Sequence, residues 1–450
     1  MLYYFEGGVA VKKWIKCILC MVLSVLMLTG CSIQTVDQMY QLPKRSADYS
    51  NLQWVMDRAM TGLSFSAPLV GDNQQSVQMA DLDGDAEQEY LVLAKGNAEQ
   101  PLRILVFDRT EDVFVHTDTI KSNGAAFDQI EYIQMDDKPG VEVVVGRRVS
   151  DQVVRAISVY TFSGGQAQQL VSANYRKYVT ADLNDDGCMD LLVLRPGQSD
   201  TDSGIAELYR MNDGVVERAN EAAMSCPTDH MKRILVGKLQ DKKTAVYVAC
   251  SIEDTSLVTD IFTQTGDRLV NVSLSGEAGN SMQTLRNHYV YADDMDDDGV
   301  VELPKIVKTV PIESGLEASR RDLILWYAMD SNSNMTNKRF TYYDSVGGWY
   351  LELDEKLAPM MTVHGTGNAI EFYLWNEDYS ETQKLMTIHI LTGQNRDEQS
   401  TINGRFVLMR TDTVTYAASL DAAAVDYTIT QDNLIRSFYL IQQDWNTGET

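Results

Sequence analysis

The sequence predicts a mainly β protein: a β-propeller of about five four-stranded repeats, or as many as seven blades, with a C-terminal α+β domain. Three observations predict it. An acidic loop recurs with first positions at 81, 134, 182, 238 and 294, a period in the range of propeller blades. Each period holds four short runs of apolar, β-branched and aromatic residues bounded by Gly, Asp and Asn. Four strands per period is the arithmetic of a blade. A β-sandwich would match the strand count, but it would not require a shared loop at a fixed spacing.

The N-terminus comes first. Lys12, Lys13 and Lys16 precede the apolar run ILCMVLSVLML, which ends in Leu28-Thr29-Gly30-Cys31. Basic, apolar and small residues in that order read as a secretory signal, and the run is short for a membrane span. Residues Met1 to Ala10 fall outside this pattern, so Val11 is the expected start. LTGC resembles the bacterial lipobox. That resemblance implies acylation of the Cys31 thiol by palmitate-type chains and a lipid-anchored protein on the extracytoplasmic face of the cell membrane.

Residues 1–31 are therefore the expected signal peptide, and 32–70 a polar tether ending in a short helix. In that helix Leu52, Val55, Met56 and Met60 share one face. Residues 71–335 are the expected propeller. The first repeat runs SVQMADLD, EYLVLAKG, LRILVFDR and VFVHTDTI. The third and fourth repeats read the same way. Beyond residue 335 the loop motif disappears. Strands at GWYLELD, MMTVHG, AIEFYLW, KLMTIHIL, FVLMR and TVTYAASL precede ITQDNLIRSFYLIQQDW, a helical pattern through Leu434, Ile435, Phe438 and Leu440. Strands followed by a packing helix suggest an α+β module over 336–450; two degenerate blades are the alternative.

The acidic loops carry the chemistry. Loop one, ADLDGDAEQEYLVL, places Asp81, Asp83, Asp85 and Glu89 at its first, third, fifth and ninth positions. Loop three places Asp182, Asn184, Asp186 and Asp190 there, and loop five Asp294, Asp296, Asp298 and Glu302. Like charges this close call for a cation. Alternate oxygen side chains on a tightly curved loop suit Ca2+, which takes six to eight oxygen ligands. The seventh residue (Glu87, Cys188 or Val300) can add a carbonyl. Magnesium fits less well, because it keeps its waters.

An EF-hand starts alike but needs a bidentate Glu at its twelfth position and flanking helices. Here Val92, Val193 and Lys305 stand at that position and the flanks are strands. In loop two Gln134 and Lys138 replace acids, and in loop four Lys238, Gln240 and Lys242 do so. Structural Ca2+ is thus expected at loops one, three and five, and not at two or four.

These features resemble the FG-GAP/VCBS-type repeats of integrin-like β-propellers, and more closely a group of uncharacterised Gram-positive lipoproteins with DLDGD-type loops and an end like SFYLIQQDWNTGE. The resemblance covers about residues 75–335. It implies calcium in the loops and a cell-surface address, but supplies neither ligand nor activity.

A net charge of −26 argues against a nucleic-acid partner, since phosphate binding needs clustered Lys and Arg. Beyond the signal and Cys31, only Cys188, Cys226 and Cys250 remain, an odd number that builds no disulfide framework. GxSxG, HExxH, SxxK, P-loop and GxGxxG motifs are missing. His116, His230, His288, His364 and His389 are scattered. Trp326, Tyr327, Trp349, Tyr350, Tyr373 and Trp375 read as core residues or as a stacking platform for sugar or protein. The expectation is a binding or scaffolding module for a protein or glycan ligand, not an enzyme. The alternative is a surface enzyme, or enzyme accessory module, acting on glycan or peptidoglycan.

Overall fold

The computed structural model describes residues 47–149, 155–199, 201–252, 255–274, 281–312 and 320–441. The expected signal peptide, the expected lipid site Cys31, most of the expected tether and the final QQDWNTGET lie outside the described residues. Among the described residues no helix is long and apolar enough to cross a membrane.

Two units partition these residues. One holds the helix Ala47–Ala59 with residues Thr110–Val115. Asn51 Oδ1 accepts the Phe114 N–H there at 2.6 Å. Of the expected apolar face only Leu52 is buried; Val55 and Met56 are half-buried.

The other unit is mainly β: six antiparallel sheets taken in chain order. The second, third and fourth are four-stranded meanders. In the third, for example, Lys177–Ala181, Asp190–Arg195, Ile205–Asn212 and Val215–Ala223 pair each with the next. The second strands read as unbroken apolar runs, such as Leu191-Leu192-Val193-Leu194, each of these residues at most 1% exposed. Unbroken runs occur because both faces of the sheet are covered. Fourth strands such as Val215–Ala223 are mostly exposed, and their sequence is correspondingly polar.

The cores lie between consecutive sheets. Leu93, Val106, Phe127 and Val145 join the first to the second, and Val144, Ile157, Leu191 and Tyr209 the second to the third. Leu192, Leu208, Val246 and Phe262 join the third to the fourth, and Tyr247, Ile261, Leu303 and Tyr327 the fourth to the fifth. Tyr342, Trp349, Val363 and Phe372 join the fifth to the sixth. Each fully buried Leu or Phe contributes about 1.5–3 kcal/mol.

The C-terminal reading needs correction in two places. The expected boundary at 336 falls inside the strand Met335–Asp344. The fifth sheet therefore takes Glu302–Val307 and Leu323–Met329 from one side of it, and Trp349–Leu353 and Phe438–Leu440 from the other. The closing helix covers only Gln431–Ser437, capped by Thr430 Oγ1 accepting the Asn433 N–H at 3.2 Å. Phe438 and Leu440 are strand residues, since Leu351 and Trp349 offer them a ladder partner. The sixth sheet has six strands, from Arg320–Arg321 through Val414–Leu420.

Candidate metal centre

Each acidic loop joins the first stretch of its repeat to the second strand, and loops one, three and five share one backbone design. The first-position carboxylate turns inward and accepts two N–H groups. Asp81 takes those of Gly84 and Ala86 at 2.8 and 3.1 Å, and Asp182 those of Asp186 and Gly187 at 3.1 and 2.9 Å. Asp294 takes those of Asp298 and Gly299 at 3.0 and 2.7 Å. The fifth-position Asp accepts the seventh N–H in all three, at 2.6–2.8 Å. The fourth and sixth residues are left-handed: Gly84 and Ala86, Asp185 and Gly187, Asp297 and Gly299. The glycine exchanges places with a longer residue, yet the turn is the same.

The ninth-position acid closes the base of the loop by accepting the second residue's N–H. Glu89 takes that of Leu82 at 2.7 Å, Asp190 that of Leu183 at 3.2 Å, and Glu302 that of Met295 at 2.9 Å. Loop two keeps this element, with Glu142 accepting the Met135 N–H at 2.9 Å. The second residue itself is a buried Leu or Met in all five loops. It anchors each turn to the core.

The loops differ in what faces the carboxylates. In loop one, oxygens of Asp81, Asp83 and Asp85 lie within 4.8 Å of one another. Asp83 Oδ1 and Glu89 Oε1 are buried without a hydrogen-bond partner. One register step beyond the Tyr90–Phe107 pair, Asp108 on the third strand stands opposite Glu89. Burial pushes Glu89 up to about 7 against the pull of the Leu82 N–H, with Asp83, Asp108 and Asp85 adding to the rise. Burial, Asp83 and Asp85 likewise raise Asp108. Among the described residues no Lys or Arg pairs with these five acids.

Loop five brings Asp294, Asp296 and Glu302 within 4.8 Å. Glu302 is fully buried, its Oε1 has no partner, and burial raises it to about 7, with Asp296 and Asp298 adding to the rise. Arg339 pairs with Asp296 at the rim.

Loop three is otherwise engaged. Arg210 binds both oxygens of Asp190, Asn184 donates to Asp186 at 2.6 Å, and Lys238 reaches Asp185 at 2.9 Å. Loop two fills itself: the Gln134 amide donates to the carbonyls of Asp136 and Lys138 at 2.7 and 2.5 Å, where a cation would otherwise sit. The loop-four lysines reach neighbouring loops, Lys238 to Asp185 and Lys242 to Asp298 at 3.7 Å.

Consecutive loops also touch. Pro139 of loop two packs on Gly84, and Met189 N–H donates to Gln134 O at 2.6 Å. Lys238 N–H donates to Gly299 O at 2.9 Å.

The residues fit calcium at loops one and five: an all-oxygen donor set, with buried carboxylate oxygens lacking any donor. Asp108, Arg210 and Arg339 were missed in the sequence. Their only signal is cross-strand register and tertiary approach, which appear once the strands are paired. Of the six aromatics weighed as a platform, all but Tyr373 are buried, so they are core. A cavity of about 640 Å³ is lined by Asp72, Asn73, Gln129, Glu131, Tyr132 and Thr180. Glu131 there is raised by burial, and it accepts from Thr180 at 2.9 Å and from Gln129.

No family model matches the chain, and no curated protein does. Solved structures with some likeness include a rhamnogalacturonan lyase of Bacillus licheniformis, 11% identical over 72% of each chain with a TM-score of 0.28. An exotype rhamnogalacturonan lyase is 10% identical over 72% of this chain and 68% of its own, with a TM-score of 0.28. A mannose phosphorylase of Leishmania mexicana is 11% identical over 58% and 85%, with a TM-score of 0.26. Likenesses at these TM-scores carry no argument.

Proposed function

We propose that the chain is a calcium-stabilised β-propeller, held by a lipid on Cys31 at the outer face of the membrane, that acts as a binding or scaffolding module. The observation that carries the calcium reading is the pair of buried, unpartnered oxygens, Glu89 Oε1 and Glu302 Oε1, each at the base of the same turn. Leaving such an oxygen unmet costs about 1–3 kcal/mol, which an ion would recover. Loop three meets that demand with Arg210, and loop two with Thr161 donating to Glu142 while Gln134 fills the turn; loop four has no acid at its first, third, fifth or ninth position. Two ions are therefore the proposal, at Asp81, Asp83, Asp85 and Glu89 and at Asp294, Asp296, Asp298 and Glu302.

Consecutive sheets sharing cores, and consecutive loops in contact, support the propeller reading. The cleft near Glu131, lined in equal part by polar and apolar surface, supports a binding role for a ligand with hydroxyl or amide groups. Its carboxylate oxygens are already occupied by Thr180 and Gln129, which favours holding over catalysis.

Thermal melting in calcium and then in excess chelator tests the ion. The midpoint should fall by about 5–10 °C on chelation, by the size scaling of a few kcal/mol. An unchanged midpoint would return the loops to solvated turns. Mass spectrometry of the N-terminal peptide from the membrane fraction tests the anchor: diacylated Cys31 is expected, and an unprocessed N-terminus would overturn it.

A further inference from the structure

Cys226 and Cys250 face each other between the third and fourth sheets. Cys226 follows the strand Val215–Ala223, and Cys250 lies on Thr244–Ile252. Both are buried, at 3% and 0% exposure. Their sulfurs lie within 4.8 Å of one another. Leu194, Met224, Val248 and Val258 share their apolar cluster. Single buried cysteines are commonly small core residues. These two are a matched pair on fixed backbone: Cys226 O accepts the Gly204 N–H at 2.9 Å, and the Ser225 N–H is tied to Asp260 Oδ2 at 2.9 Å. Cys250 is in ladder register with Met231 and Val258.

We propose that Cys226 and Cys250 close into a disulfide that ties the end of the third repeat to the central strand of the fourth. The bond requires the two sulfurs, which lie within 4.8 Å, to close to about 2.05 Å. Two S–H bonds break and one S–S bond forms. The two electrons and two protons pass to a small-molecule or protein disulfide, which is cleaved to two thiols through a mixed-disulfide intermediate. Cys188 stays free at the seventh position of loop three, so the odd count is accounted for. Only the source of oxidant in the cell rests on the export reading, and the test supplies its own.

Zinc is the other occupant such a cluster could suit, with Asp260 as third ligand. Asp260 is already fully engaged, by Ser225 N–H, Asn271 Nδ2 at 2.9 Å and Ser281 Oγ at 2.6 Å. The neighbouring Cys226 thiol, burial and Asp260 hold the Cys250 thiol of the folded chain well up, so the exchange takes place during folding, before the pair is buried. The same burial shuts out reductants once the bond has formed.

The test refolds the reduced full chain in millimolar oxidised glutathione, verifies the native melt, and digests it without reductant. The proposal expects a peptide joining Cys226 to Cys250, lighter than the two thiol peptides by two hydrogens, in most molecules and lost on reduction. A Cys188→Ser variant should retain it. Recovery of Cys226 and Cys250 as alkylated thiols in most natively folded molecules, or linkage of either to Cys188, would overturn it.

Discussion

Arg210 grips Asp190 through one edge of its guanidinium, Nε to Oδ1 at 2.6 Å and Nη2 to Oδ2 at 2.7 Å. The equivalent step in the first repeat opposes Glu89 to Asp108. One register position thus holds a cation in one repeat and an acid in another, and the loop beside it is satisfied or left wanting accordingly.

Replacing Arg210 with Ala strands a buried carboxylate. The metal-free protein should lose about 3–5 kcal/mol, since removing one partner of a buried pair leaves an uncompensated charge. Calcium should recover part of that loss, because Asp190 is then released to the loop. Denaturant midpoints with calcium and with chelator check this. Equal losses in both conditions would show that Arg210 does not stand in for an ion.

Asp108→Asn acts in the opposite direction. It removes a like charge from loop one, so the metal-free protein gains stability while calcium affinity falls by about tenfold, the effect of roughly 1.4 kcal/mol of lost attraction. Chemical denaturation in chelator reads the first sign and calorimetric titration the second. A variant with unchanged affinity would place Asp108 outside the ion's field.

Glu89 and Glu302 make the metal-free stability fall as pH rises. Both are raised from an ordinary 4.5 to about 7, so between those values the folded protein holds protons that the unfolded chain has released. Stability declines through that window and levels off above it. Calcium must displace the same protons, so its affinity should drop by about tenfold per pH unit per site as pH falls below 7. Proton release measured in two buffers of different ionisation enthalpy tests the coupling. A pH-independent affinity between 5 and 7 would contradict it.

Gly84 and Gly299 share a φ of +81° but not their surroundings. At Gly299 a Cβ meets nothing within 4 Å, so Gly299→Ala should cost about 1 kcal/mol of backbone strain. At Gly84 it would lie 2.3 Å from Pro139 Cβ, and overpacking adds about 1–3 kcal/mol. Chemical denaturation in chelator ranks the pair. Equal losses would mean that loops one and two do not pack as described.

Strand identity was legible because period and residue type are local. The segments expected for the first, third and fourth repeats coincide with their strands. The spacing of the carboxylates was legible for the same reason, since their positions count along one turn. What decides how a loop's carboxylates are met was hidden. Arg339 approaches loop five from across its sheet, and Lys238 leaves its own loop to pair with Asp185. Gln134, read as the loss of a ligand, is also the group that fills the loop. The C-terminal helix was overextended because Phe438 and Leu440 fit a helical period as well as a strand, and only Trp349–Leu353 settles which one forms.

The most direct measurement is the number of calcium ions bound per chain, by calorimetric titration of the chelator-stripped protein. The account predicts two, with Asp81→Ala and Asp294→Ala each removing one and Asp182→Ala removing none. No binding, or loss of a site on replacing Asp182, would contradict it.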